Sequence, residues 1–120
     1  MMNKIGFMQG RLVKSEKPKL IQSFPWKNWK KEFYLADKNK IRILEWTIDY
    51  EKFNQNPLIN IKSLPIIKKL KKKYNININS VTCDFYMQKP YIKAKTKKLK
   101  NNIRNNFISL ISSCKLMKIK

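Results

Sequence analysis

A chain of 120 residues suits one small domain with a single core; at 42% hydrophobic and 12% aromatic it is too apolar to stay disordered despite a net charge of +21. No apolar run approaches the roughly 20 residues of a membrane span and no apolar leader opens the chain, which makes the cytoplasm the expected compartment. The absence of histidine excludes His-based acid–base and nucleophile systems and most zinc sites, and two cysteines without a CxxC spacing exclude a disulfide framework.

The charge has two readings. A phosphate-gripping or anionic-surface protein would carry it. So would A/T-rich coding bias, because Lys, Asn and Ile supply 54 of the 120 residues while Ala and Gly occur twice each. Only Arg11, Arg42 and Arg104 offer the bidentate fork that phosphate recognition recruits, which favours bias. The run Lys68 to Lys73, broken by Leu70, reads as the solvated face of a helix.

In chain order, the first strand is expected over Lys4 to Leu12 (KIGFMQGRL), short, apolar and polar toward its end. Trp26, Trp29, Phe33 and Ala36 then recur at helical spacing, and that helix runs out at Asp37–Lys40. A second strand spans Ile41 to Ile48, followed by a helix marked by Leu64, Ile67, Leu70 and Tyr74. A third strand spans Ile76 to Phe85, and the last helix steps through Ile103, Phe107, Leu110, Cys114 and Met117. Asn39 and Asn75 stand where a helix closes on a left-handed residue, a role for Gly or Asn. Strand starts near Ile5, Ile41, Ile76 and Ile119 recur every 35 to 43 residues.

Alternation with short connections implies βαβ crossovers: an α/β chain with a parallel three-stranded sheet in order 1-2-3 and helices on one face. Phe7, Ile43 and Val81 are expected on the other face. A small open three-layer α/β domain is the alternative. With no GxGxxG or GxxxxGK[ST], neither dinucleotide nor P-loop binding is supported.

Function in parallel α/β folds sits at the C-terminal ends of the strands. Those ends hold Gln9, Gly10 and Arg11, then Glu45, Trp46 and Asp49, then Thr82, Cys83, Asp84 and Met87. Glu45 and Asp84 stand out, because a carboxylate ending an apolar strand costs desolvation unless paired or bound. Each either contacts a hydroxylated ligand or a metal's surroundings, or ties strands together through a buried ion pair. Cys83 has no histidine to activate it and reads as a structural thiol. Cys83 and Cys114 are expected at opposite ends of the sheet, beyond disulfide reach. Phe24, Trp26, Trp29 and Phe33 are core packing or, less simply, a stacking platform.

The stretches IGFMQGRL, IQSFPWKNWKKEF, ILEWTIDYEKFNQNPL and INSVTCDFYMQKP, in this order and spacing, resemble the sugar phosphate isomerase/epimerase families with a xylose-isomerase-like barrel. The resemblance implies that residues 1–120 are the N-terminal part of a TIM (β/α) barrel, about three β/α units long and truncated before strand 4. It implies metal-assisted proton transfer on a sugar or sugar phosphate, with a divalent metal in the full-length family. The family's metal ligands and proton-shuttling carboxylates lie mainly on later strands, so no cofactor and no turnover are expected of this chain alone. Gln9, Arg11, Glu45 and Asp84 carry over as substrate-side lining. A second chain completing the barrel is a further implied partner. The alternative function is a basic nucleic-acid-binding α/β module; a membrane partner is not expected.

Overall fold

The three long helices end in the same backbone device. In the computed structural model, which describes residues 5–120, these helices are α1 (Trp29–Lys38), α2 (Leu64–Tyr74) and α4 (Lys97–Leu116). Beyond each, an isoleucine N–H reaches back five residues to a helix carbonyl: Ile41 to Ala36 at 2.9 Å, Ile76 to Lys71 at 3.0 Å, Ile119 to Cys114 at 2.9 Å. The residue before each isoleucine is left-handed, with φ of 58° at Lys40, 51° at Asn75 and 56° at Lys118. These are Schellman closures, which satisfy carbonyls that a helix end leaves free. Asn75 takes the expected left-handed place; Asn39 does not. Its φ is −94°, its side-chain amide donates to the Leu35 carbonyl, and Lys40 bears the turn instead.

The starts are built differently. Thr96 caps α4 by accepting the Leu99 N–H on its hydroxyl, and Pro65 lies in the first turn of α2, where its missing N–H is no loss. A short α3 (Asp84–Gln88) precedes α4.

Strands β1 (Phe7–Met8), β2 (Ile43–Thr47) and β3 (Asn77–Thr82) form a parallel sheet in the order β1-β2-β3. All three are shorter than the expected spans, and Lys4 lies outside the described residues. Gly6 lets β1 approach β2, because a Cβ there would stand 2.8 Å from the Ile43 Cβ and carbonyl.

Alternation gives the sheet two unlike faces. Leu44, Trp46 and Ile48 are fully buried in one core with Trp29, Phe33 and Ala36 of α1, Leu64 and Ile67 of α2, Phe85 and Leu110. The aromatic set belongs to this core: the rings of Phe24 and Trp29 each lie 5.7 Å from Trp46, and Trp26 packs edge-on against Phe24. The other face carries Met8, Glu45 and Ser80 in one row and Thr47 beside Thr82 in the next.

Ile43, in step with Glu45 on β2, keeps the expected face, and the assignment of Phe7 and Val81 is corrected. Phe7 pairs with Leu44 and Val81 with Trp46, so both share the helix-side parity. Leu44 pairs with Ile78 but Glu45 with Ser80, leaving Asn79 as an extra, bulged residue that inverts the parity beyond it. Among the described residues the fold is thus a mixed α/β domain with an open three-stranded parallel sheet and four α-helices, and no helix is long and apolar enough to cross a membrane.

Candidate functional site

The bulge at Asn79 places two hydroxyls opposite a carboxylate. Ser80 Oγ donates to Glu45 Oε2 at 2.7 Å and Thr82 Oγ1 to Glu45 Oε1 at 2.5 Å, so both oxygens of a half-buried Glu45 are held from the neighbouring strand. No basic side chain pairs with it among the described residues.

Asp84, the first residue of α3, stands at the end of β3. Its carboxyl is pushed above the ordinary range by burial, then by the negative charges of Asp49 and Glu45. Its Oδ2 is buried without a hydrogen-bond partner. Asp49 is itself committed, accepting the Phe24 N–H at 2.9 Å and the Gln88 side-chain amide at 3.2 Å.

Gln9 is fully buried and works within the sheet. Its N–H donates to the Glu45 carbonyl, its Oε1 accepts the Thr47 N–H, and its Nε2 is buried without a partner. Gln22 reinforces the junction by donating to the Gln9 carbonyl and to Thr47 Oγ1. Arg11 stands apart. It is exposed and lines a polar groove of about 120 Å³ with Gly10, Ser15, Glu16 and Gln22 at the end of β1.

The structure therefore gathers Glu45 with Asp84 electrostatically and joins Gln9 to β2 through Thr47, while Arg11 occupies the adjacent groove. Sequence reasoning overlooked three residues that organise this end of the sheet. Glu32, fully buried on α1, accepts the Gly10 N–H on both oxygens and the Leu12 N–H on one. Burial raises its pKa, and those two N–H bonds oppose the rise. Asn56, also buried, accepts from Trp46 Nε1 and the Leu58 N–H and donates to the Thr47 carbonyl. Ser80 completes the Glu45 pair. Only Ser80 had a legible signal, as a polar residue two before Thr82 on a strand.

Cys83 and Cys114 are both free, but they are not at opposite ends: they line one groove between β3 and α4. Burial and then the neighbouring Cys114 push the Cys83 thiol up to about 11.

Among the described residues no three His, Cys, Asp or Glu side chains lie close enough to hold a metal ion. The residues present do not fit the divalent metal that the resemblance implies. Comparison of the chain with family models, with curated proteins and with solved structures finds no match.

Proposed function

We propose that the polar sheet face binds a sugar or sugar phosphate, as the substrate-side wall of an isomerase/epimerase-type site. The observation that carries the reading is the Glu45 carboxylate held by Ser80 and Thr82 on a sheet face not covered by the core helices. With their protons given to Glu45, the Ser80 and Thr82 hydroxyls keep acceptor lone pairs beside the carboxylate's own, a cluster of acceptors that the donors of a run of ligand hydroxyls match. Asp84, with its raised pKa, supplies a protonatable partner at the same strand ends. Arg11 in the adjacent groove is the contact for a phosphate terminus. Proton transfer by the family's metal-assisted route requires groups beyond these four residues, so the chain alone binds without turnover.

The test is a ¹⁵N-resolved NMR titration with a ketopentose phosphate and with the matching free sugar. Expected are saturable shifts at Ser80, Thr82 and Glu45, lost in Glu45→Ala, with Arg11→Ala weakening only the phosphate ester. Absence of saturable shifts at these residues overturns the reading.

A nucleic-acid-binding module is the second reading, favoured by the charge distribution: residues 52–120 hold 17 basic side chains and one acidic, Asp84. Its mark is a gel shift that weakens steeply with salt and is unaffected by Glu45→Ala.

A further inference from the structure

Among the described residues the sheet is open along its β3 edge: nothing pairs with the outer side of that strand, since the strand order ends there. An open strand edge presents a row of unpaired N–H and C=O groups, a template for another strand. Beside that edge runs an open apolar groove of about 470 Å³, walled by Val81 and Cys83 on the sheet side and by Phe107, Leu110 and Ile111 on α4. A second groove of about 500 Å³ continues from it, sharing Cys83 and Phe107.

The apolar wall is uncovered: Ile111 is 56% exposed, Phe107 41% and Met87 77%. Contiguous exposed apolar surface beside a free strand edge marks a docking site.

We propose that this groove takes an extended, acidic segment of a partner protein, added beside β3 as a fourth strand. The inference stands apart from the sugar reading. The geometry fixes the occupant's pattern: alternate side chains enter the apolar groove beneath α4 while the others join the polar face beside Ser80 and Thr82. The charge fixes its sign. Arg104, Lys115 and Lys120 line the two grooves, and the whole chain carries +21, so an acidic strand is drawn in. A second copy is the wrong occupant. It would bring another +21 against the first.

The probe is a fluorescein-labelled peptide alternating Val and Glu, about eight residues long to span the six-residue β3. Anisotropy is expected to show saturable binding that weakens with salt, and hydrogen exchange to show new protection of β3 amides. Methylating alternate peptide nitrogens on the edge-facing side should abolish binding, since strand pairing needs those donors.

Ile111→Glu, at an exposed groove position, should weaken binding by about tenfold or more, about 1.4 kcal/mol. Ile108→Glu adds the same charge to the same helix outside the grooves and should change it much less. Both substitutions fall on exposed positions, and circular dichroism checks the fold. Equal binding by the methylated peptide, equal effects of the two variants, or no binding at all overturns the proposal. So does concentration-dependent dimerisation that protects β3, which would make a second copy the occupant.

Discussion

The side-chain Oε1 of Gln9 accepts the backbone N–H of Thr47 at 2.9 Å, two residues along β2 from the carbonyl that receives Gln9's own N–H. A side chain thereby continues the ladder where β1, two residues long, has stopped. Gln9→Leu keeps the volume and strands a buried donor, so it should lower unfolding stability by about 1–3 kcal/mol. A denaturant midpoint unchanged from wild type would show that Thr47 finds water or another acceptor.

Glu32 makes the loop after β1 depend on pH. Its folded pKa is raised above the ordinary 4.5 by burial, so the folded state holds the proton more tightly than the unfolded state. The stability it contributes is complete below that ordinary value and is lost as pH rises through the raised one. Asp84, also raised, adds with the same sign. Wild type measured against Glu32→Gln, which does not titrate, should therefore lose relative stability as pH rises above 4.5. Glu32→Ala, which strands the Gly10 and Leu12 N–H groups, should cost about 2 kcal/mol or more at any pH. A pH-independent gap between wild type and Glu32→Gln would refute the assignment.

Left-handed lysines are an avoidable strain. An L-residue in that conformation costs about 1–2 kcal/mol, offset in part by the greater unfolded-state freedom of glycine. Lys40→Gly and Lys118→Gly should each raise stability by about 0.5–1 kcal/mol, and Asn75→Gly by less, because Asn tolerates the conformation. Thermal melts of the three variants decide it, and a loss on Lys40→Gly would mean that its side chain is structural.

The thiols should be sluggish. With the Cys83 pKa at about 11 against an ordinary 9.0, its thiolate fraction at pH 8 falls about 100-fold relative to the unfolded chain. Iodoacetamide should label Cys83 slowly in the native protein and rapidly in denaturant, with no reduction step required. Comparable native and unfolded rates would place Cys83 in solvent.

The order of strands and helices was legible because it rests on local periodicity: Ile103, Phe107, Leu110 and Met117 announce a helix face by spacing alone. The junctions were half legible. Asn75 was found by residue type, whereas nothing in the chemistry of Lys40 or Lys118 marks a left-handed turn. The site's scaffold was less legible still. Glu32 meets Gly10 across 22 residues, Gln9 meets Thr47 across 38, and Glu45 meets Thr82 across 37. Such pairings exist only once the sheet register is set, and one sequence does not fix a register. The same gap explains the misplaced Phe7 and Val81.

The bulge at Asn79 makes the chemistry of β3 a matter of counting. Upstream of it Asn77 pairs with Ile43; were the strand to run on in that register with no bulge, Asn79 would stand beside Glu45 and Val81 beside Thr47. Ser80 and Thr82 would turn under α4, two hydroxyls driven into an apolar layer, and Val81 would surface next to a carboxylate left without donors. Deleting exposed Asn79 would instead set Ser80 opposite Glu45, Val81 opposite Trp46 and Thr82 opposite Thr47 in an unbroken ladder, so both faces would keep their contents while the bulge disappeared. The polar face therefore depends on the bulge absorbing Asn79 between Ile78 and Ser80: a straight ladder through all of these residues would bury the hydroxyls, and the bulge keeps them beside the carboxylate.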